Sequence, residues 1–353
     1  MSETLYRKYR PMTFSQVVGQ EHVVRTLMGA LATGRIGHAF LFTGPRGTGK
    51  TTLARIFAKA LNCAKKKDGE PCNQCDACIG ANQGNFLDVI EIDAASNRGI
   101  EEIRNLKDSA QVASMAGGYK VFVIDEVHML TKDAFNALLK ILEEPPAHVV
   151  FMLATTEPHK IIPTVLSRVQ RFDLKRLTPA QIFQKLTSIV KAEKIDIEDG
   201  ALKAIALSSD GALRDAEVSL AKVRSVAGTN NITAEIATEA LGLIPANYHP
   251  EFLGYLASAD KAAALGLIQR MHDSGVDLEN FAKDFLEYSR RVLMAQINPT
   301  VLISVGEELP ELHQVDGKRF IKLIQLFTSA RNEMKSSPII QLPLELAVLE
   351  FLE

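Results

Sequence analysis

Eight consecutive residues, Gly44-Pro45-Arg46-Gly47-Thr48-Gly49-Lys50-Thr51, match the pattern G-x-x-x-x-G-K-[ST] at every position. Each residue type serves a triphosphate in a definite way. The glycines let the backbone fold closely, so that its N–H groups can point at phosphate oxygens. A helix starting behind the loop adds the positive end of its dipole. Lys50 reaches the β- and γ-phosphates and the Thr51 hydroxyl holds Mg²⁺, with Thr52 next along the chain. The alternative is a glycine-rich turn that merely joins strand to helix. The pattern stands directly after a strand-like run and before a helix-like one, which is the context that phosphate binding requires. ATP is the expected ligand.

A second constellation lies in VFVIDEVH. Asp125 ends an apolar strand, where its carboxylate can coordinate Mg²⁺ through water, and Glu126 beside it is the candidate to orient and polarise the attacking water. A solvated strand end is the plainer reading of such a pair. The string Asp125-Glu126-Val127-His128 also resembles the DExH box of helicases. Motors of that kind need two nucleotide-binding folds, or one fold in a ring; the chain has one loop, one acidic pair and no second α/β sheet after Leu177. Thr155, in LATTEP, ends the next strand and is placed to sense the γ-phosphate or the attacking water. Arg168, in LSRVQRF, precedes the last strand, and Arg214, in GALRDAEVSL, opens a later helix. An arginine taken alone is more often a surface salt-bridge residue of small energetic weight.

Cys63, Cys72, Cys75 and Cys78 fall within sixteen positions. In a reducing cytosol, clustered thiols bind metal more often than they pair as disulfides, with unligated thiols or a redox pair as alternatives. Ser96-Asn97-Arg98-Gly99 precedes an apparent helix at Ile100. Small polar residues and an arginine at a helix start suit a backbone phosphate, and equally an ordinary capped helix with a surface arginine.

The elements that must position these groups follow from periodicity. HAFLFTG (38–44), DVIEID (88–93), KVFVIDE (120–126) and VVFMLATT (149–156) are short apolar runs suited to buried strands of a parallel sheet, with RFDL (171–174) closing it. Helices are predicted from Thr51 to Asn62, from Ile100 to about Val112 and from Asp133 to Leu142, which makes an α/β layered domain. LTPAQIFQKLTSIVKAEK reads as a helix entered through Thr178-Pro179. GLIPANYHP reads as a linker, and the chain beyond it as helical. The domains expected are 1–177, 178–242 and 243–353. The balance of 40 basic and 42 acidic residues argues against a protein that coats nucleic acid through bulk charge. No stretch approaches the ~20 apolar residues of a membrane span, and no secretory signal opens the chain, so the cytoplasm is the expected location with no membrane partner. The chain ends in a helical segment, LELAVLEFLE, as either a natural short form or a truncated longer protein would.

The whole arrangement resembles the gamma/tau family of bacterial DNA polymerase III, the ATPase of the sliding-clamp loader in the AAA+ superfamily. The resemblance covers essentially all of the chain. It rests on YRKYRPMTFSQVVGQEHV at 6–23, HAFLFTGPRGTGKTT at 38–52, EIDAASNRGIEEIR at 91–104, VFVIDEVHMLTKDAFNALLKILEEPP at 121–146, LATTEPHKIIPTVLSR at 153–168 and GALRDA at 211–216.

That resemblance implies a P-loop domain with an inserted zinc module, a small helical lid and a helical collar that holds a ring together. Val18 would line the adenine pocket. Thr155 would be the first sensor and Arg214 the second, and Arg168 would be an arginine finger reaching the γ-phosphate held by the neighbouring subunit. The family usually reads Ser-Arg-Cys there, where this chain has Ser167-Arg168-Val169. The four cysteines resemble the family's zinc module. Four thiolates make a closed, structural Zn²⁺ site whose binding energy folds a polar segment, although an iron–sulfur cluster shares the ligand set. Asn97 and Arg98 would follow the DNA backbone. The implied partners are further copies of the chain, delta and delta-prime subunits, the sliding clamp and primer–template DNA. Another ring ATPase acting on DNA, a helicase or remodeller, is the alternative, as is a non-hydrolysing structural subunit.

Overall fold

The computed structural model describes residues 4–115, 117–228, 230–245, 247–297 and 317–353. These group into two units, one of residues 1–197 and 202–225 and the other of 198–201 and 226–353.

The first unit is built on five strands: β1 (Ala39–Thr43), β2 (Val89–Asp93), β3 (Lys120–Asp125), β4 (Val149–Thr155) and β5 (Gln170–Asp173). They pair in the order β2-β3-β4-β1-β5, and every pairing is parallel. Parallel neighbours need crossover connections, and helices supply them. A single turn α1 (Leu5–Lys8) and α2 (Glu21–Thr33) precede the sheet, and α3 (Lys50–Asn62) and α4 (Asp76–Gln83) join β1 to β2. The later crossovers are α5 (Ile100–Gln111), α6 (Lys132–Glu143) and the short α7 (Pro163–Leu166).

Alternation along each strand divides the core in two. Phe40, Phe42, Val121, Val123, Val150 and Met152 face α2 and α3, whereas Leu41, Phe122, Ile124, Phe151 and Leu153 face α5 and α6. Burial on both faces explains why these strands read as unbroken apolar runs. The edge strand β5 buries only Phe172 and is polar elsewhere. Register brings the strand ends level, with Thr43 opposite Thr155 and Asp93 opposite Asp125. The first four predicted strands are each trimmed by a residue or two, the fifth lies one residue earlier than predicted, and α4 is a helix that periodicity did not announce.

The first unit continues in α8 (Pro179–Glu193) and in most of α9 (Asp199–Ser208) and α10 (Leu213–Ala227). Thr178 caps α8 as predicted: its hydroxyl accepts the Gln181 N–H while the Gln181 side chain accepts the Thr178 N–H. The second unit holds α11 (Ala234–Leu241), α12 (Tyr248–Ala257), α13 (Lys261–Asp273), α14 (Leu278–Ile297), α15 (Gly317–Met334) and α16 (Leu342–Phe351). The predicted linker is shorter than expected, because Tyr248, His249 and Pro250 form the first turn of α12. A proline is tolerated there, where its missing N–H has no helical partner to lose. The core of this unit is aromatic, with Phe252 edge-on to Phe281, Phe285 and Phe327 at ring separations of 5.3, 4.9 and 5.8 Å. No helix among the described residues is long and apolar enough to cross a membrane.

Glu217, on α10, is 5% exposed. Burial pushes its carboxyl up to about 7, against the weaker pull of Lys185. A raised acid favours the fold at low pH and disfavours it once the unfolded carboxylate ionises. Its penalty therefore grows as pH rises from the ordinary carboxylate range to about 7 and is constant above. Glu217→Gln is expected to raise stability by about 2 kcal/mol at pH 8 and by almost nothing at pH 4, as read from denaturant melts at the two pH values.

Candidate nucleotide and metal sites

The phosphate loop lies between β1 and α3 and uses its glycines for backbone geometry. Gly44, Gly47 and Gly49 have φ of 143°, 76° and 99°, in the region that side chains disfavour. Space is also closed at two of them. A Cβ on Gly44 would stand 2.6 Å from the Leu174 carbonyl oxygen, and one on Gly47 would stand 2.8 Å from the Ala212 Cβ. The second contact sets the start of α10 directly against the loop. Thr48 closes the turn by donating to the Pro45 carbonyl at 2.9 Å, whereas the Arg46 side chain is exposed.

Lys50 is 5% exposed, and its Nζ donates to the Gly44 and Pro45 carbonyls, each at 2.9 Å. Burial pulls its pKa below the ordinary lysine value, and the nearby Glu126 and Asp125 carboxylates oppose the shift. Thr51 Oγ1 donates to Asp125 Oδ2 at 2.7 Å, so the first turn of α3 meets the end of β3. Two hard oxygen donors at one point suit Mg²⁺. Thr52 is half-buried beside them.

Glu126 follows with φ 47° and ψ 44°, a left-handed conformation that is uncommon outside glycine and asparagine. The turn swings its side chain to the end of β4, where Glu126 Oε2 accepts from Thr156 Oγ1 at 3.1 Å. His128 Nδ1 lies 3.4 Å from the same oxygen and 3.0 Å from the Thr155 hydroxyl, while its Nε2 lies 3.2 Å from Glu157. Thr155 is wholly buried. Lys50, Thr51, Asp125, Glu126 and Thr155 thus converge at the C-terminal ends of three adjacent strands, the usual ligand edge of an open parallel sheet. Sequence reading took His128 only as part of a motif and missed Thr156. A buried imidazole between two carboxylates has no sequence signature.

The flanking residues stand apart from this cluster. Arg214 is exposed, with its guanidinium carbon 4.8 Å above the Tyr6 ring. Arg168 donates to Glu143 at 2.8 Å and to the Thr164 carbonyl at 2.7 Å, both within its own chain. Val169 packs against the apolar layer under α6, so a branched aliphatic residue fits that position. Val18 is half-buried, next to Gly19 and Gln20, whose amide bonds both the Lys175 carbonyl and the Lys175 N–H. Asn97 and Arg98 fold onto their own loop through the Asp93 and Ala95 carbonyls, and Arg98 is exposed. The Glu102 carboxylate lies over Gly99 at the head of α5.

The sulfurs of Cys63, Cys72, Cys75 and Cys78 all lie within 4.8 Å of one another, with Cys72–Cys78 at 3.9 Å and Cys63–Cys75 at 4.0 Å. A tetrahedron of ~2.3 Å metal–sulfur bonds has sulfur separations of about 3.8 Å. Disulfide bonds need about 2.05 Å, so the four thiols are free. N–H groups of Gln74 and Cys75 donate to Cys72 Sγ at 3.4 and 3.3 Å and lower its pKa to about 6. Burial instead pushes Cys63 and Cys78 up. A cation resolves that conflict by stabilising all four thiolates, and the donor set fits one tetrahedral Zn²⁺.

Comparison with known proteins covers this chain in three consecutive pieces. Residues 19–178 match the DNA polymerase III delta subunit family, 181–221 the ATPase lid domain of DNA polymerase III clamp loader subunits, and 232–353 domain III of DNA polymerase III subunits gamma and tau. DNA polymerase III subunit tau of Bacillus subtilis is 42% identical over 99% of the chain, and subunit gamma of Buchnera aphidicola is 36% identical over 98% of both chains. The chain belongs to the DNA polymerase III gamma/tau family. It spans 63% of the Bacillus tau subunit and 55% of the Escherichia coli one, which is 39% identical. Among solved structures, the Thermotoga maritima RuvB Holliday junction branch migration motor shares the fold, at 20% identity and a TM-score of 0.50 over 70% of this chain and 79% of that one. The family's ATPase fold is therefore the one built here, with a lid sequence in α8 to α10.

Gly47→Ala tests the contact between loop and lid. It adds a methyl group at positive φ against Ala212, and is expected to weaken binding of a fluorescent ATP analogue at least about tenfold while the rest of the fold survives. Fluorescence titration alongside far-UV circular dichroism checks both halves.

Proposed function

We propose that this chain is an ATPase subunit of the DNA polymerase III clamp loader, which uses ATP to open the sliding clamp and load it onto primed DNA in the cytoplasm. The observation that carries the reading is the convergence of Lys50, Thr51, Asp125 and Glu126 at one end of the sheet, in a member of the gamma/tau family. A purely structural subunit would not need all four. In this reading residues 1–177 bind nucleotide, 178–242 serve as lid and 243–353 as collar.

In this reading the loop from Gly44 to Thr52 cradles the phosphates and Val18 lies against the base. Lys50 exchanges its two loop carbonyls for phosphate oxygens, which better balance its charge. Mg²⁺, held by Thr51 and Asp125 when bound, supplies neutralisation of the phosphate charge. Glu126 takes the proton of the attacking water, and Thr156 and His128 fix the carboxylate while it waits. Thr155 reports the γ-phosphate through the bonds it shares with His128 and Glu157, and Arg214 reports it from the lid. Arg168 acts on the site of a neighbouring copy. Its ion pair with the half-exposed Glu143 is worth only about 1 kcal/mol or less, so a phosphate displaces it readily.

One Zn²⁺ on the four cysteines is structural, since four protein ligands leave no open position. Their convergence on one point favours a single ion over a cluster, where the thiolates are divided among two or four irons. Arg98 is the better DNA contact of its pair, because Glu102 already covers the head of α5. The partners are other copies of the chain, delta and delta-prime subunits, the clamp and primer–template DNA.

Lys50→Ala is expected to abolish ATP binding, whereas Glu126→Gln keeps it within about threefold and lowers turnover by about 10² or more. Equal affinities for the two variants would break the assignment. The assembly is tested by steady-state ATP turnover with delta, delta-prime and the clamp. Stimulation should require both clamp and primed DNA, and Arg168→Ala should remove it at least about 10³-fold without changing ATP affinity of the isolated subunit. Stimulation by duplex DNA alone, with strand separation, would point to a helicase instead.

A further inference from the structure

Residues 4–16 form a strap that is tied down at both ends. At one end Tyr6 carries Arg214 on its ring face, and Lys8 and Tyr9 bind Glu193 at the close of α8, with Tyr9 at 2.8 Å. At the other end the Glu70 carboxylate accepts two successive backbone N–H groups, Phe14 at 2.7 Å and Ser15 at 2.6 Å. The Met12 carbonyl accepts from Lys59 Nζ at 2.7 Å. Lys59 is 3% exposed, and its remaining bonds go to the side-chain oxygens of Asn73 and Asn82.

Glu70, Asn73 and Asn82 all belong to the cysteine module. Asn73 follows Cys72, and Asn82 sits on α4, which Cys75 caps and which contains Cys78. Glu70 ends a two-residue hairpin, in which Lys67 and Glu70 exchange backbone hydrogen bonds of 3.2 and 2.8 Å. Asp68 and Gly69 have φ of 51° and 83°, the two left-handed residues that a type I′ turn requires, and Asp-Gly is among its preferred sequences. Gly69 is buried against α2, where a Cβ on it would stand 3.5 Å from Met28. The spacer between Cys63 and Cys72 is thus a shaped arm that presents Glu70. Burial pulls the Lys59 ammonium below the ordinary lysine value, and the nearby sulfurs of Cys78, Cys63 and Cys72 oppose that shift.

The strap, α3, α4 and the lid also share one cavity of about 400 Å³, walled by Arg10 and Pro11, Ile56 and Lys59, Asn82, and Arg214. Arg214 stands two residues from Ala212, which touches the phosphate loop. A continuous run of contacts therefore joins the thiolates to the lid arginine and to Gly47.

We propose that the cysteine module braces the nucleotide site: Glu70 and Lys59 are positioning residues that hold the strap, and through Tyr6 hold Arg214, so that full ATP affinity requires a metal-loaded module. The inference rests on the ATP and metal readings above. Loss of metal frees Asn73, Asn82 and the Glu70 arm together, because one ion closes the whole segment.

The experiment titrates the full-length chain with a fluorescent ATP analogue and measures bound zinc by atomic absorption. Glu70→Ala should keep one zinc per chain and a circular dichroism spectrum like the parent, yet bind the analogue about tenfold more weakly, because two charge-assisted bonds are lost. Glu70→Gln, which keeps one acceptor, should lose about threefold, and Lys66→Ala, on the exposed side of the arm, should lose nothing. Parent chain stripped by a chelator should fall at least as far as Glu70→Ala, and stripping that variant should add little, as expected of coupled groups. Parent-like affinity in both zinc-loaded Glu70 variants, or in a stripped and folded parent, overturns the proposal. A parent that takes up no zinc overturns its metal half and the metal reading together. A parent that binds no analogue overturns the ATP reading and the brace with it.

Discussion

Lys50 carries a full charge into a site where it is 5% exposed, and much of the surrounding structure answers that one demand. An ammonium removed from water must find oxygen atoms, and here the loop's own carbonyls supply two of them at 2.9 Å. Those carbonyls can curl back only if Gly44 and Gly47 adopt positive φ and accept close neighbours. The neighbours are Leu174, at the end of β5, and Ala212, at the start of α10. The loop is therefore pressed between the sheet and the lid, and the two carboxylates of β3 offset what burial takes from the lysine. A phosphate entering this pocket meets a charge that is already desolvated and oriented, which is how preorganised electrostatics gain their strength.

The same economy governs the acidic side. Glu126 needs to leave the strand direction abruptly, and the left-handed turn at φ 47° does that at some conformational cost. The cost is met locally: the Glu126 N–H donates to Asp125 Oδ1 at 2.9 Å, and its carboxylate is caught by Thr156 and faced by His128. Because His128 also touches Thr155 and Glu157, the ends of β3 and β4 share one polar network. A movement of Thr155 thus has a short covalent and hydrogen-bonded route to Glu126.

Much of this was legible in the residues and some was not, for physical reasons. The phosphate loop and the acidic pair declare themselves because backbone conformation and metal chemistry demand particular residues at fixed spacing. The strands declare themselves because burial on both faces leaves no polar position to interrupt them. The capping box at Thr178 and Gln181 is local and was readable for the same reason. What escaped were contacts between distant segments. Nothing in MSETLYRKYR announces that Tyr6 meets Arg214, and nothing in KKKDGE announces that Glu70 receives two N–H groups from a segment more than fifty residues away. The helix α4 escaped because its cap is a cysteine and its apolar content is low. The extent of the linker was misjudged because Pro250 reads as a breaker, though in a first helical turn it breaks nothing.

The cysteine segment sharpens the point about what a metal adds. AKKKDGEPCNQCDAC has almost no apolar side chain to bury, so no hydrophobic term can order it. Four thiolates drawn to one ion would supply that ordering from a single point, and everything within a few residues of a cysteine would inherit the rigidity. Glu70, Asn73 and Asn82 are within that range, and all three bond to the strap or to Lys59. Helix α3 then takes on a double character. It begins at the lysine and threonine of the phosphate loop and runs into Cys63, with Lys59 a turn earlier on the same rod. A rigid helix with the phosphate loop at its head and a cysteine of the cluster at its foot leaves little freedom for either end to move alone, which is the geometric ground for the proposed brace between the polar insertion and the nucleotide site.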